Sequence, residues 1–562
     1  MLDELETIPW ERLEHNRGTA ENVPELLRAA RTSVEPWAEL DDCLFHQGGW
    51  VCPAARAALP FTVELASSAS VPGRVSSLRL IGHIAEVAGV AEAEFVDDGW
   101  PAEWARALPR LVDLAADPDP GVRSGALWAL GCGGGPVAPG LVARWDVETD
   151  PAVRLDLVLT LGKLAPQWVR ELRGDDPQVR LAAACASGSP AVEEFLPGLR
   201  ADLSVWSGTV WVGGPARVLG LVREALEDRP AEHAAVLTGF EPADDELRRG
   251  QLTALGELLT RWRSPVATVL PLLGERLRDP SARVRWTALH LLGSVRAAGY
   301  ADDVAALLED ETPVGRQRQF VGDAAAWALT RFGRPVPDLV ARLDRFGDVE
   351  QFFSAAVYVP WLPAAHEVLQ PLRDFGLVPA VLDRLAAASG FRRTNFIALL
   401  GSWGVPEAAP VLSELAAGEP VAAWAWWRCG GPAELIAAAK VTHQTVKWLG
   451  DIGSTAAAHV SLLPLDEPDD WMRVATRRAR WRMTGEVGDL VPVCTEVLSG
   501  LDDGRFLPVM VPAAQALAEV GERPEVLVRA LASDRRWASS GGWRAFDQDE
   551  RLRAVLEDPI RD

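Results

Sequence analysis

The chain has 562 residues, of which 48% are hydrophobic and 24% are charged, and it carries a net charge of −23 at pH 7. This composition is too apolar for a disordered chain and is typical of a folded protein. An acidic chain repels nucleic acid and anionic lipid, so the charge disfavours a nucleic-acid partner and favours a basic protein partner.

The sequence starts with an acidic segment, MLDELETIPWERLEH, where a secretory signal peptide carries basic residues. No apolar run approaches the roughly 18 to 20 residues that span a bilayer. The six cysteines are scattered singly, which is typical of buried small hydrophobes rather than of a disulfide framework. We therefore expect a cytoplasmic protein with no membrane span.

Residues 1–65 carry the motifs Ile8-Pro9-Trp10, Val23-Pro24 and Leu59-Pro60-Phe61. This segment resembles the opening of a group of actinobacterial HEAT-repeat proteins whose function is unassigned. The resemblance implies that the first helices cap an α-solenoid, since a solenoid must close its exposed core at each end.

Four residues of the same segment are of types that tetrahedral zinc accepts: His15, Cys43, His46 and Cys52. Their spacings fit no standard pattern of a structural zinc site. We therefore expect packing roles for these side chains and no bound metal or other cofactor.

A pair of helices is predicted between Pro109 and Gly131. Apolar residues recur at helical spacing in both halves of this segment. Between the halves, Asp119 is suited to cap the second helix and Pro120 to occupy its first position. Gly131 is predicted to end that helix.

The same sequence pattern, an Asp-Pro pair followed by Val-Arg, recurs along the chain as Asp150-Pro151-Ala-Val-Arg154, Asp176-Pro177-Gln-Val-Arg180 and Asp279-Pro280-Ser-Ala-Arg-Val-Arg285. Such internal repetition is the sequence signature of a solenoid. We predict helical repeats over residues 66–334, clearest at 105–188 and 265–300.

The recurring phrase resembles the second helix of HEAT repeats, particularly the bacterial HEAT-like repeats of phycobiliprotein lyases. The resemblance implies a right-handed, all-α superhelix in which the turn aspartate and the helix arginine pair along the stack. It assigns these structural roles to Asp119 and Arg123, Asp150 and Arg154, Asp176 and Arg180, and Asp279 and Arg285. The two extra residues in the last copy leave its pairing geometry open.

Residues 335–562 are predicted to form degenerate, tryptophan-rich repeats and a carboxy-terminal cap. Two regions depart from the helical repeat pattern: residues 197–245, with Trp206 and Trp211, and residues 334–375, with many prolines and Phe352-Phe353. No long Ser/Gly linker divides the chain, which favours one continuous array.

Several short motifs imitate catalytic or ligand-binding sites. The glycine run from Gly131 to Pro136 lacks the Lys-Ser/Thr of a phosphate loop, and His366-Glu367 lacks the second histidine of a zinc protease. The turn from Asp117 to Gly121 lacks the later ligands of a calcium loop. We therefore predict a protein without enzymatic activity.

The carboxy-terminal region holds the best candidate for a partner surface. Seven tryptophans lie between residues 403 and 481, and the stretch from Trp471 to Arg482 is locally basic. In a helix, Arg473, Arg477 and Arg480 share one face. Because tryptophan and arginine are enriched at binding hot spots, we predict partner contacts at Trp424, Trp427, Trp471, Arg473, Arg477, Arg480 and Trp481. The alternative is that the tryptophans fill the core and the arginines form a solvated face.

Three functions remain open on the sequence. The first is a protein-binding scaffold, of regulatory or immunity type, that captures a partner on its concave face. The second is a DNA-binding repair solenoid, for which the arginines between 477 and 482 are the only support. The third is a lyase-like enzyme, suggested by the resemblance of the repeats. The sequence does not indicate the oligomeric state.

Overall fold

A computed structural model describes residues 2–45, 49–187, 191–314, 319–347, 358–372 and 375–557. The predicted features at His46 and at Phe352-Phe353 lie outside these residues. Within the described residues the fold is an all-α solenoid of HEAT-like helix pairs, as predicted. Two short antiparallel hairpins interrupt the helices: β1 (Glu14–His15) with β2 (Gly18–Thr19), and β3 (Pro313–Val314) with β4 (Gln319–Phe320).

Contacts divide the chain into two compact units, residues 1–250 and 251–562, although the sequence favoured one continuous array. The division of the chain at residues 65 and 334 stays a prediction. The first unit contains these helices: α1 (Val23–Ala29), α2 (Pro36–Leu44), α3 (Pro53–Ser67), α4 (Arg74–Val90), α5 (Trp100–Leu114), α6 (Pro120–Gly133), α7 (Ala138–Trp145), α8 (Pro151–Leu164), α9 (Pro166–Glu171), α10 (Pro177–Ala186), α11 (Val192–Arg200), α12 (Val218–Ala225) and α13 (Pro230–Thr238).

The boundary between the units falls inside α14 (Asp245–Arg261). The helices that follow are α15 (Val266–Arg276), α16 (Ala282–Ser294), α17 (Ala301–Ala305), α18 (Val321–Arg331), α19 (Leu339–Arg342), α20 (Ala365–Leu369), α21 (Val378–Ala387), α22 (Gly390–Trp403), α23 (Ala409–Leu415), α24 (Pro420–Arg428), α25 (Glu434–Ala437), α26 (His443–Ile452), α27 (Asp470–Thr484), α28 (Leu490–Leu498), α29 (Met510–Glu519), α30 (Glu525–Ala532) and α31 (Trp543–Glu557).

Short 3₁₀ helices connect many of these elements. They span Leu2–Thr7, Trp10–Arg12, Ala93–Phe95, Ser204–Gly208, Pro215–Arg217, Ala298–Tyr300, Leu343–Arg345, Phe375–Leu377, Pro406–Ala408, Gly453–Leu462 and Ser499–Leu501.

The Asp-Pro pairs start helices as the sequence predicted. The Asp119 carboxylate accepts a hydrogen bond from the backbone N–H of Gly121 at 2.8 Å. Asp150 and Asp176 each accept from two backbone N–H groups of the helix that follows them. The fourth copy differs, because its two extra residues make Ser281 the N-cap of α16. These carboxylates satisfy N–H groups that the first helical turn leaves without partners.

The glycines of the repeat, each preceded by leucine, allow close packing and do not end their helices: Gly131, Gly162 and Gly293. The prediction that Gly131 ends its helix was wrong, since α6 continues to Gly133 and turns at Gly134, which has a φ of 67°. A Cβ atom on Gly131 would lie only 2.7 Å from Cζ2 of Trp211. Gly162 and Gly293 are crowded in the same way by residues of other segments. The glycine of the repeat therefore permits close packing against its neighbours.

The second helices of successive pairs form the core of the first unit, where α4, α6, α8 and α10 pack in a row. Val122, Ala126, Leu127 and Leu130 of α6 are fully buried, as the helical spacing predicted. Even the polar residues Arg123 and Ser124 of this helix are buried. Helix α6 is apolar on most of its faces because other helices pack against it on several sides.

The irregular region after α11 folds back onto α8. The Asp156 carboxylate of α8 is fully buried and accepts from the backbone N–H groups of Val210 at 3.0 Å and Trp211 at 3.3 Å. The Trp211 indole donates to Thr160 Oγ1 at 3.0 Å. Burial, the largest effect, raises the pKa of Asp156 to about 7.

Helix contacts in the second unit form a closed circuit. They lead from α16 through α18, α20, α22, α24, α25, α26, α27 and α29 to α31, and α31 packs back on α16. The segment before α31 pairs with the start of the unit, since the Arg263 N–H donates to the Asp534 carbonyl at 3.0 Å and the Arg536 N–H to the Arg261 carbonyl at 2.7 Å.

A buried carboxylate lies at this closure. Asp549 is fully buried and accepts from Nη1 of Arg536 at 3.1 Å and from Nε of Arg553 at 3.0 Å. The backbone N–H of Trp537 donates to the same carboxylate at 3.2 Å. Both guanidinium groups are largely buried, since the side chains of Arg536 and Arg553 are only 8% and 10% exposed. The circuit is therefore closed by backbone pairing, and the buried Asp549 fixes α31 to the segment that takes part in this pairing.

Candidate partner-binding surface

The predicted basic helix of the carboxy-terminal region is α27. It begins after Asp469, whose carboxylate accepts from the backbone N–H of Met472 at 3.0 Å, and it ends before Gly485, which has a φ of 78°. Its hydrophobic side, including Val474 and Ala479, is buried. Helical spacing therefore places Arg473, Arg477 and Arg480 toward one face, as the sequence indicated.

Each arginine of that face pairs with a carboxylate of the same fold. Nη2 of Arg473 lies 2.6 Å from Glu496, Nη2 of Arg477 3.1 Å from Asp489, and Nη2 of Arg480 2.9 Å from Glu486. The Glu496 hydrogen bond, the largest effect, raises the pKa of Arg473. The Arg477 hydrogen bond likewise lowers the pKa of Asp489. The face is therefore a mixed ionic surface rather than an open cationic one.

The remaining arginines of α27 are neutralised as well. Arg478 and Arg482 both pair with Glu519 of α29, and Arg482 also pairs with Asp451 at 2.5 Å. Burial acts to raise the pKa of Glu519, but the hydrogen bonds from these two arginines hold it below its usual value. The local basic run consequently has its counter-charges within the fold.

Three of the four predicted tryptophans pack against the core. Trp424 stacks on Trp448 with ring centroids 5.6 Å apart, and both belong to the core around α24, α26 and α27. Trp427 is half-buried against the same core, whereas Trp481 packs against the cluster around α28 and α29. For these three residues, the core-packing alternative describes the structure better than an open binding surface.

Trp471 is different from every other tryptophan in the chain. All 23 tryptophans fall within the described residues, and Trp471 is the only one whose side chain is exposed, at 39%. Its ring lies 5.7 Å from the ring of His443, at the amino-terminal ends of α27 and α26. The structure thus separates one tryptophan of the predicted set from the others.

Further exposed apolar side chains lie in the same part of the chain. Val441 precedes α26 and is 42% exposed, and Leu465 precedes α27 and is 40% exposed. We name these two residues, His443 and Trp471 the Trp471 edge. Asp466, Glu467 and Asp469 lie between Leu465 and Trp471 in the sequence and are exposed, and residues 434–472 contain six carboxylates and two lysines. Exposed apolar side chains with carboxylates close to them in the sequence are suited to a basic, amphipathic partner.

The repeat arginines have other partners than the resemblance implied. Arg123 of α6 donates to Glu148 at 2.9 Å and 3.0 Å and to the carbonyl groups of Asp117 and Pro118. Its partner carboxylate therefore belongs to the turn before the next repeat helix, whereas Asp119 caps its own helix. Although burial acts to raise it, hydrogen bonds from Arg144, the Asp150 N–H and Arg123 hold the pKa of Glu148 low.

The fourth copy repeats this arrangement. Arg285 donates to Asp310 at 2.7 Å and to the carbonyl groups of Asp279 and Pro280. In the second copy, the Arg154 guanidinium lies 3.9 Å from the Trp145 ring centroid and donates to the Glu148 carbonyl. Asp176 caps α10, which carries Arg180. Sequence reasoning missed Glu148 and Asp310, although both lie 25 residues beyond the arginine that they pair with.

No site for a metal ion is indicated by the described side chains, among which no group of three or more His, Cys, Asp or Glu residues could hold one. Cys43 and Cys52 have free, buried thiols, and burial raises the pKa of Cys52 to about 11. His15 is hydrogen-bonded to Asn22 at 3.0 Å.

None of the helices in the described ranges is both long and apolar enough to span a bilayer.

The sequence matches no family model and no curated protein. Among solved structures, the chain is similar to importin beta at 13% identity, covering 96% of this chain and 93% of that one, with a TM-score of 0.40. Yeast importin-beta (Kap95p) matches at 11% identity over 95% of this chain and 72% of its own, with a TM-score of 0.35. YibA of E. coli matches at 16% identity over 52% of this chain and 91% of its own, with a TM-score of 0.31.

Proposed function

We propose that this chain is a non-enzymatic scaffold that captures a basic segment of another protein at the Trp471 edge. The exposure of Trp471, alone among 23 tryptophans, carries the proposal. Tryptophan is the residue type most enriched at binding hot spots, and a solvent-exposed indole is costly unless a partner covers it. The concave face and a regulatory or immunity-type role stay predictions.

Charge supports a basic occupant. The net charge of −23 attracts cationic partners over long distances, and Asp466 and Glu467 supply local carboxylates next to the exposed apolar side chains. The DNA-binding alternative loses its support, because the arginines on which it depended are paired with carboxylates. The lyase alternative depends only on the resemblance of the repeats, and no described feature strengthens it.

The test compares three baits: the wild-type chain, Trp471→Ala and Phe391→Ala. Phe391 is the matched control, because it is an aromatic residue 76% exposed on α22, outside the Trp471 edge. The partner captured by the wild type should bind Trp471→Ala about 30-fold more weakly, corresponding to about 2 kcal/mol, in calorimetric titrations. Phe391→Ala should bind with wild-type affinity. Equal affinity of all three baits would contradict the proposal.

A charge variant tests the basic character of the partner. Asp466→Asn with Glu467→Gln removes two exposed carboxylates and leaves the capping residue Asp469 in place. We expect slower association and a weaker dependence of the rate on salt, because rim charges act mainly on the encounter. Glu92→Gln with Glu94→Gln, two exposed changes in the first unit, is the control. An unchanged salt dependence in the first variant would contradict a basic partner.

A further inference from the structure

Residues 203–217, which we name the strap, cross one side of α8 in the first unit. The strap contains two 3₁₀ helices, Ser204–Gly208 and Pro215–Arg217, and the first of them packs on α8. Every residue of α8 from position 155 to position 161 is buried. Together with the neighbouring helices, the strap therefore encloses this part of α8.

Hydrogen bonds to two side chains of α8 hold the middle of the strap. The Asp156 carboxylate accepts from the backbone N–H groups of Val210 at 3.0 Å and Trp211 at 3.3 Å. Thr160 Oγ1 accepts from the Trp211 indole at 3.0 Å, and Nζ of Lys163 lies 4.7 Å from the centroid of this ring. The backbone of the strap is thus attached through a carboxylate, a group whose charge depends on pH.

The Asp156 carboxylate is fully buried, and among the described residues it forms no ion pair. Residues 203–216 of the strap contain no ionisable side chain. Ser124 of α6 acts on the carboxylate through a hydroxyl group, and Asp150 at the start of α8 carries a charge of the same sign. The ionised form of Asp156 is therefore stabilised by hydrogen-bond donors and not by a cation.

Charged groups on the helices packed against α8 pair elsewhere or are exposed. Arg123 of α6 and Arg144 of α7 both pair with Glu148. Arg154 of α8 itself stacks on Trp145. The exposed groups are Lys163 of α8, Arg170 and Glu171 of α9, and Arg180 of α10. Burial raises the pKa of two further thiols on these helices and keeps them neutral: Cys132 and Cys185.

Burial makes the closure of the strap depend on pH. It disfavours the ionised carboxylate more than the hydrogen bonds from Val210, Ser124 and Trp211 favour it, so the pKa of Asp156 rises to about 7. In water an aspartate titrates at about 3.9. Opening of the strap returns the carboxylate to water, so it should become about tenfold more favourable per pH unit between about pH 4 and pH 7 and then level off.

The segment of the strap between Gly208 and Gly214 is the part that can move. Trp206 holds the start of the strap, since it is fully buried and its indole donates to Oε1 of Gln178 at 2.7 Å. Gly213 and Gly214 have φ values of 70° and 151°, which glycine adopts without strain. Trp211, between these points, is only half-buried. Residues 208–214 can therefore leave α8 while both ends of the strap stay attached.

We propose that residues 208–214 are a pH-controlled latch on α8, closed in acid and opening as the pH rises to neutrality. Opening exposes Asp156 and Thr160, together with the space beside Gly131 that the Trp211 ring fills. The face that the latch uncovers belongs to α6 and α8, the second helices of their pairs. The latch does not depend on a partner at the Trp471 edge.

The experiment measures hydrogen exchange of the full chain by mass spectrometry between pH 5 and pH 8.5, with each rate divided by the intrinsic exchange rate at that pH. The ratio reports how often each segment opens. We expect peptides that cover residues 208–214 to open about 100-fold more at pH 7 than at pH 5, and no further above about pH 7.5. They should also open at least tenfold more than peptides of α5 at every pH. A pH-independent ratio, or equal opening of the strap and α5, would overturn the proposal.

Variants connect the pH dependence to Asp156. Asp156→Asn should make the opening of residues 208–214 independent of pH, because the amide stays neutral. Thr160→Val removes the acceptor of the Trp211 indole but keeps the carboxylate, so opening should increase by the same factor at every pH. Asp202→Asn, an exposed change just before the strap, is the control and should keep the slope of the wild type. A slope that persists in Asp156→Asn, or is lost in Thr160→Val, would exclude the latch; the second variant serves if the first does not fold.

Discussion

At the scale of single residues, Asp156 combines full burial with two backbone hydrogen bonds. The carboxylate fixes the loop at Val210 and Trp211, yet burial raises its pKa to about 7. A raised pKa means that the folded state holds the proton more tightly than the unfolded chain, in which an aspartate titrates near 3.9. The contribution of Asp156 to stability is therefore fully present below about pH 4 and is lost as the pH rises to about 7.

We predict that Asp156→Asn changes this pH dependence. The amide stays neutral, so the free energy of unfolding of the variant should rise relative to that of the wild type, by up to about 4 kcal/mol, between pH 4 and pH 8. Urea unfolding of both proteins at several pH values provides the measurement. Thr160→Val is the control, because it changes a neighbouring buried group that does not titrate. Parallel pH profiles of Asp156→Asn and the wild type would contradict the prediction.

Residues that act within their own segment were predictable, and residues with distant partners were not. The caps at Asp119, Asp150 and Asp176 depend on backbone groups two or three positions away, so the Asp-Pro pair alone indicates them. The carboxylate that pairs with Arg123 belongs to the next repeat, and the sequence around the arginine does not identify it. The exposure of Trp471 likewise depends on how α26 and α27 pack, which no spacing of tryptophans reveals.

At the scale of helices, the repeat glycines determine how closely neighbouring segments approach. Gly131 lies inside α6, where its missing side chain makes room for the Trp211 ring and for Thr160. A Leu-Gly pair near the end of an apolar helix suggests a helix terminus, which is why the sequence prediction failed here. The crowding comes from a loop about 80 residues farther along the chain, and a pattern within one helix cannot show it.

Gly131→Ala should destabilise the first unit by about 1–3 kcal/mol, because the new Cβ would lie 2.7 Å from the Trp211 ring. The matched control is Gly140→Ala in α7, where a Cβ meets nothing within 4 Å. That change should stabilise the protein by about 0.5–1 kcal/mol, since alanine favours the helix. Thermal unfolding followed by circular dichroism compares the two variants. Equal effects of both changes would show that the close packing of Gly131 is not limiting.

At the scale of the molecule, closure of the second unit was not predictable from the repeats. Repeat patterns indicate which helices are neighbours in order, and α22 next to α24 or α26 next to α27 follows that rule. The contact of α31 with α16 joins helices about 250 residues apart. It lies in a part of the chain that we expected only to cap an open end, where Asp549 joins α31 to the segment that pairs with the start of the unit.

Asp549→Ala is predicted to destabilise the second unit by about 3–5 kcal/mol, because it leaves the buried guanidinium groups of Arg536 and Arg553 without their carboxylate. Urea unfolding should show a lower midpoint for the transition of that unit. Asp502→Ala, which breaks an exposed ion pair with Arg529, is the control and should change stability by less than about 1 kcal/mol. A similar small effect of both changes would show that the ionic cluster contributes little to the stability of the second unit.

A closed circuit also has a mechanical consequence. In an open solenoid each repeat contacts only its neighbours, so the array lengthens like a spring and frays from its ends. In the second unit, stretching any one junction between helices must also load the junction of α31 with α16. The unit should therefore resist extension until one contact ruptures and then yield abruptly, whereas an open array of similar length would yield gradually.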